Sequence, residues 1–438
     1  MEPLIFVYIA ILLLAALLST RLMKIFKLPN VTGYIITGII MGPFVFGLFF
    51  NNFTYDGIKE SAIYHFVNDL GWVSTIALGF IAFSIGTSFK KSILTTVGKR
   101  VIIITILEAV GGSLFVFISL LIAHYVAPNQ VSLELVLTLS AIASATAPAA
   151  TLMVIKQYKA HGPLVNTLLP VVALDDAAAL ILFAILFQIA NGIVGGEMSV
   201  YNMIGKPLIE ISISLGIGVV LGFLISLLNK LFHSRNNKLV LCIFTVFISA
   251  GLYVLFKQQY MGSFELSSLL MCMVGGAIFT NFSKDSDRTL DLLDRFTSPI
   301  YMMFFVLSGA SLDLSIFTKK ETAGLILLVA LIYIVFRVVG KYVGALSGAV
   351  ISKCEPQVKK YLGFTLVPQA GVAIGLATNA NKLFNEAGSY ETASLVLAVV
   401  LTSTLVYELV GPLISKYALT KAGEITEENK QISNEISK

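Results

Sequence analysis

Charge is scarce in this chain: Asp, Glu, Lys and Arg make up 13% of its 438 residues, while 57% are hydrophobic. A soluble domain carries about 25% charged residues, so a water-soluble fold is excluded. Cysteine is rarer still. The three present, Cys242, Cys272 and Cys354, lie far apart and two sit in apolar runs, which excludes a disulfide framework or a cysteine metal site and leaves packing as their use. No nucleotide loop, metal-ligand cluster or nucleophile–base pair stands out, so neither a cofactor nor an enzyme is expected. The formal charge of +5 is not gathered into a stripe, which argues against a nucleic-acid partner. The four histidines, His65, His124, His161 and His233, fall near predicted span ends or in loops, as solvated side chains or as tuners of a pH response.

What fills the chain is apolar sequence in runs of membrane-crossing length, roughly 20 residues. The fold class is therefore an all-α polytopic membrane protein, in contact with membrane lipid. Splitting at polar or turn-rich stretches predicts thirteen spans, near 4–20, 29–49, 70–89, 101–125, 132–155, 164–190, 204–229, 239–256, 263–281, 298–316, 322–349, 361–381 and 392–415. Met1-Glu2-Pro3-Leu4 has no basic residue ahead of its apolar run, so the first span reads as retained rather than as a signal peptide. Alternate connections and the C-terminal tail hold 22 of the 30 Lys and Arg; the opposite connections hold six, and Arg337 and Lys341 lie inside a span. Cytoplasmic loops carry that excess, which predicts an inner-membrane protein with its N-terminus outside and its C-terminus cytoplasmic. Residues 419–438 read as a short, frayed polar tail.

Five ionisable positions stand out deep in predicted spans: Glu108, the pair Asp175-Asp176, Arg337 and Glu408. Each costs roughly 2.5–3.5 kcal/mol on insertion scales, which marks it as functional by default. The aspartates are the sharpest signal, with apolar residues for several turns on both sides. Successive helical residues point about 100° apart, so one aspartate meets an ion while the other meets a partner. The competing reading is a buried structural pair neutralised by Arg337. Glu108 and Glu408 read either as partners of Arg337 or as direct ion contacts. Lys341, one turn beyond Arg337, reads as facing a cytoplasmic or outer funnel.

Two spans carry signs of broken helices. The fifth, Ser140 to Thr151, is small and hydroxyl-rich around Ala147-Pro148; the twelfth holds Pro368-Gln369-Ala370-Gly371. Unwound backbone at membrane depth is tolerated beside protein or a wet cavity, where its freed carbonyls coordinate ions. With six spans per half joined by the seventh, near 204–229, the fifth corresponds to the twelfth and the sixth to the thirteenth. Equivalent spans are seven positions apart, an odd offset that gives the halves opposite orientation and makes this an inverted repeat, and interruptions at matching positions point to a secondary-transporter site.

The chain resembles the bacterial monovalent cation/proton antiporters of the sodium/proton exchanger superfamily, in particular the two-aspartate branch related to glutathione-gated potassium efflux transporters. The resemblance rests on Leu28-Pro29-Asn30-Val31-Thr32-Gly33-Tyr34-Ile35-Ile36-Thr37-Gly38 with Gly42-Pro43, on Thr146-Ala147-Pro148, on Leu174-Asp175-Asp176 and on Phe304-Phe305-Val306-Leu307-Ser308-Gly309-Ala310-Ser311-Leu312-Asp313. Val367-Pro368-Gln369-Ala370-Gly371 and Glu408-Leu409-Val410-Gly411-Pro412 complete the series. It implies a homodimer with an elevator-type antiporter fold: scaffold helices near 4–89 and 239–316, and core helices near 101–190 and 322–415 in which two discontinuous helices cross. It implies that Asp176 binds cation and proton alternately, that Thr146 supplies an oxygen ligand, and that Asp175 pairs with Arg337. Two departures stand out. Ala147 replaces the family's frequent Ser or Asp, leaving Ser144 or water to substitute, and Arg337 stands where electrogenic members carry lysine. Arginine does not give up its proton, so one cation per proton becomes as open as a two-proton cycle.

The expected function is exchange of a monovalent cation for protons. Na⁺ comes first, since a small carboxylate and hydroxyl site suits a hard cation, then Li⁺, with K⁺ as competitor. The alternatives are a potassium/proton antiporter, or a sensor or channel on the same fold. An intramembrane aspartyl protease is excluded because its two carboxylates must converge from different helices, which adjacent residues cannot do.

Overall fold

The computed structural model describes residues 3–47, 62–87, 89–195, 200–232, 234–259, 266–283, 286–311 and 320–426. His233 and the tail from 427 onward lie outside that set. Among the described residues the fold is helical, with no strand. In order the helices are α1 (Pro3–Ile25), α2 (Asn30–Met41), α3 (Ala62–Asp69), α4 (Gly71–Thr87), α5 (Lys91–Val126), α6 (Leu133–Ile142), α7 (Pro148–Tyr158) and α8 (Pro163–Ile193). After a π-helical turn at Tyr201–Gly205 come α9 (Lys206–Leu231), α10 (Arg235–Gln259), α11 (Ser268–Phe282), α12 (Ser286–Ala310), α13 (Lys320–Ile351), α14 (Pro356–Thr365), α15 (Gly371–Glu386) and α16 (Tyr390–Lys421).

Eight helical stretches among the described residues are long and apolar enough to cross a membrane: Ile5–Ile25, Ile63–Thr87, Gly98–Val126, Pro163–Ile193, Lys206–Leu231, Asn236–Phe256, Gly324–Ile351 and Tyr390–Lys421. The other five predicted spans fall on α2, α11, the second half of α12, and the broken pairs α6/α7 and α14/α15. Three of the five are shortened for a visible reason. α12 opens on a charged stretch, and the two broken pairs are cut by proline. Pro148 has no N–H to donate and its ring clashes with the carbonyl four residues back, so it starts a helix rather than continuing one. Pro368 does the same in the Leu366–Ala370 gap, where it also disfavours the helical region for Val367. α6 and α14 are each ten residues long, about 15 Å or half of a roughly 30 Å hydrocarbon core. The breaks are therefore spaced to fall near mid-membrane.

The chain divides into two compact units, Met1–Lys90 with Ile213–Ser315, and Lys91–Ser212 with Ile316–Lys438. In the first, α2 packs on α12 and α4 on α11. A Cβ on Gly86 would lie 1.9 Å from the Met273 carbonyl oxygen, and one on Gly276 would lie 2.3 Å from that of Phe83, so α4 and α11 touch backbone to backbone. In the second unit α5 and α13 meet the same way. A Cβ on Gly344 would lie 2.2 Å from the Leu107 carbonyl oxygen, and one on Gly340 would lie 2.4 Å from that of Gly111. With Gly348 these form a small-xxx-small ridge of the kind that lets membrane helices approach closely. That approach sets Lys341 of α13 opposite Glu108 of α5.

The apolar core of the second unit comes in two clusters. One gathers Leu120, Leu139, Phe187, Phe384 and Val399; the other gathers Ile104, Val154, Leu168, Leu362 and Leu419. The buried charges belong to neither. The second cluster also corrects where the frayed polar tail expected from 419 begins: α16 runs to Lys421, and Ala422, Glu424 and Ile425 are buried. The apolar Leu419, Ala422 and Ile425 complete a core face, which the polar composition of the stretch hides.

Candidate functional site

The two breaks meet. Between α6 and α7 the helix tightens after Ala143 into i→i−3 bonds, Ser144 to Ala141 and Ala145 to Ile142, and the Ala147 amide then leaves it to donate to the Pro368 carbonyl at 2.9 Å. Interrupted helices leave carbonyls without intrahelical donors, and buried orphans of this kind cost about 1–3 kcal/mol each. Arg337, fully buried on α13, answers them with its planar fork. Its Nε donates to the Ala143 carbonyl at 3.0 Å, Nη1 to Val367 at 2.8 Å and Nη2 to Ala145 at 2.6 Å. The guanidinium lies 4.6 Å above the Tyr407 ring, whose hydroxyl donates to the Ile334 carbonyl. Gln369 adds donors to Ile142 and Ala145, and Tyr333 donates to its Oε1. Arg337, Gln369 and Tyr333 thus bind the two breaks, which end where Pro148 and Gly371 start the next helices, into one crossing.

This corrects the pairing expected of Arg337. The base beside Asp175 is Lys341. Its Nζ lies 2.6 Å from Glu108 Oε2 and 3.3 Å from Asp175 Oδ2, donates to Thr146 Oγ1 at 2.7 Å and also to the Ser144 carbonyl. Lys341 is fully buried, so it does not face a funnel, and Glu108 is its partner rather than that of Arg337. The physical reason is reach. Residues four apart share a helix face, and the glycine ridge at Gly340 and Gly344 brings α5 against the Lys341 end of that face. Glu408 is buried on α16 beside Tyr407. Ser144 contributes its carbonyl, while its hydroxyl donates back to Ala141 at 2.7 Å.

Asp175 and Asp176 diverge as adjacent helical residues must. Asp175 is completely buried against Lys341, whereas Asp176 is 8% exposed and its Oδ1 has no hydrogen-bond partner among the described residues. Around the crossing, Glu108 and Asp175 face Lys341 and Asp176 follows one residue on, while Arg337 and Glu408 are also buried. If all are ionised, negative charge is in surplus.

Replacing Arg337 by lysine keeps the charge and loses the fork. One ammonium cannot meet all three carbonyls, so Arg337→Lys is expected to lower stability by about 1–3 kcal/mol for each carbonyl left bare. A lower thermal midpoint of the purified protein, read by fluorescence-detected size exclusion, is the check. A midpoint equal to wild type would contradict the clamp.

Comparison with known proteins follows the same line. The sequence matches the family described as sodium/hydrogen exchanger, transmembrane, over residues 9–415. Comparison with curated protein sequences finds no match. Among solved structures, the sodium proton antiporter MjNhaP1 from Methanocaldococcus jannaschii at pH 8 is similar with a TM-score of 0.63 and 18% identity, over 96% of this chain and 98% of that one. An electron-microscopy structure of MjNhaP1 gives a TM-score of 0.75 at 17% identity, over 97% of this chain and all of that one. The likeness is one of fold, and it spans the α5–α8 and α13–α16 helices that build the crossing. With its family match covering nearly the whole membrane part, this multi-pass chain belongs to the transmembrane sodium/hydrogen exchanger family.

Proposed function

We propose that the protein exchanges a monovalent cation for protons across the cytoplasmic membrane, with Asp176 as the group that binds them alternately. The observation that carries this reading is the asymmetry of the aspartate pair. Asp175 is committed to Lys341, while Asp176, one residue on, keeps a buried Oδ1 without a donor among the described residues, in a residue that is 8% exposed as a whole. A proton would turn that carboxylate into a neutral acid. A cation would neutralise it by coordination, with Thr146 and the unwound carbonyls as further oxygens. Either ligand cancels the surplus charge, and desolvating a charged site is what makes transit of the empty site costly. Competition for one carboxylate then becomes coupling.

Na⁺ is the favoured cation, with Li⁺ and K⁺ as competitors, because a compact carboxylate and hydroxyl set suits a small hard ion. The unit Lys91–Ser212 with Ile316–Lys438 acts as the moving core, the other unit as the scaffold of a homodimer, and the N-terminus lies outside. The base beside Asp175 is a lysine, which keeps a second stoichiometry in view. A cycle in which that base also passed on a proton would move two protons per cation and respond to membrane potential.

The test uses purified protein in liposomes loaded with acid and a pH-sensitive dye, with Na⁺, Li⁺ and K⁺ added in turn. Alkalinisation triggered by a cation supports antiport and ranks the ions, and dependence of its rate on an imposed potential separates two protons from one. At one-to-one exchange, each pH unit supplies about 1.4 kcal/mol, a tenfold cation gradient. Proton leak with no cation requirement would make the protein a channel. Silence toward every ion, from inserted protein, would make it a sensor or a carrier of something else.

A further inference from the structure

The last described turn of the chain holds the aspartate helix by its N-terminus. α8 starts at Pro163 after Gly162, which has no side chain to cap it, and the first amides of any helix lack partners within it. Here the cap arrives from far along the sequence. The Leu164 amide donates to Glu424 Oε1 at 2.5 Å and the Val165 amide to Glu424 Oε2 at 2.9 Å. The His161 amide donates to the Glu424 backbone carbonyl at 3.3 Å. Glu424 is 4% exposed, and an acidic residue is almost never buried unless paired.

Both sides of this contact are built for it. Gly423, at φ +78°, turns the chain back after α16, and the Glu424 amide donates to the Leu419 carbonyl. Ile425 then packs with Val154, Ile155, Leu164 and Leu168. Gly162 has φ +153°, and a Cβ there would lie 2.5 Å from Glu424 Cδ. Burial pushes the Glu424 carboxyl above the ordinary glutamate range, while the two amides and nearby His161 pull it back. The turn Lys159–Gly162 joins α7, which continues from the Thr146 break, to α8, which carries Asp175 and Asp176. One carboxylate therefore clamps the joint between the two elements that supply oxygens to the site.

We infer that Glu424 is a positioning residue for the transport site, fixing α8 against α7 and with it the placement of Asp176 relative to the Thr146 break. This rests on the reading of Asp176 as the exchange group. Three variants test it in the full chain: Glu424→Gln, Glu424→Ala, and Gly162→Ala, which disturbs the clamp from its other side. Two measurements are made, deuterium uptake by peptides covering 161–168 and the Na⁺ dependence of exchange at fixed pH. A carboxylate at a helix N-terminus is worth enough to predict faster uptake and a half-saturating Na⁺ concentration shifted by about threefold or more, with the maximal rate changed by less than about twofold. Glu424→Asp should recover part of the shift. Unchanged uptake overturns the clamp. Faster uptake with an unchanged half-saturation overturns the positioning role and leaves a purely structural cap. A wild type with no exchange overturns the positioning role together with the reading of Asp176, and the wild-type rate distinguishes that result from failure of the clamp alone.

Discussion

Asp176→Asn abolishes cation-triggered proton movement and leaves the protein folded. Asparagine has the same shape, but it takes up no proton at any working pH and offers no negative charge. Both halves of the exchange are lost at once, and the rate should fall by about two orders of magnitude or more, to that of empty liposomes. Stability should hold or rise. Asp176 Oδ1 has no hydrogen-bond partner among the described residues, so the substitution breaks no hydrogen bond at that oxygen, and it removes one charge from a site that carries a surplus. Asp175→Asn makes the contrast: it takes a carboxylate away from Lys341 and so costs stability as well as transport. The measurements are the dye assay in liposomes and the thermal midpoint in detergent. Full pH-dependent exchange by Asp176→Asn would remove Asp176 from the mechanism.

Much of this site was legible in the sequence because the membrane makes polarity expensive. An apolar run containing Asp175-Asp176 and two runs broken at Pro148 and Pro368 stand out against a largely apolar background. Which base meets which acid was not legible. Arg337 and Lys341 sit one turn apart on the same face of α13, and helical periodicity does not separate them. The structure decides by two features that only the assembled unit has. The glycine ridge at Gly340 and Gly344 lets α5 deliver Glu108 to Lys341, and the crossing of two breaks presents carbonyls from Ala143, Ala145 and Val367 in a pattern that suits the Arg337 fork. The spacing of Gly340, Gly344 and Gly348 was in the sequence and carried that signal. Glu424 was hidden for another reason. Its partners Leu164 and Val165 lie some 260 residues earlier, and a glutamate in a polar stretch reads as solvated until something is seen to bury it.

Lys341→Met is expected to be the most destabilising single change in the site. The side chain is fully buried and meets Glu108 at 2.6 Å, Asp175 at 3.3 Å and the Thr146 hydroxyl at 2.7 Å. Methionine fills the space but leaves two carboxyl groups buried without a counter-charge. Breaking a buried ion pair from one side costs about 3–5 kcal/mol, whereas replacing the whole pair by neutral groups of similar size is often close to neutral. The prediction is therefore a pattern. Lys341→Met alone yields little folded protein or a much lower thermal midpoint, and adding Glu108→Gln with Asp175→Asn restores most of the stability. The restored triple variant should not regain normal exchange, because Asp176 then lies in a different field and Thr146 has lost its donor. Lys341→Met as stable as wild type would mean that the carboxyl groups are already neutral without the lysine.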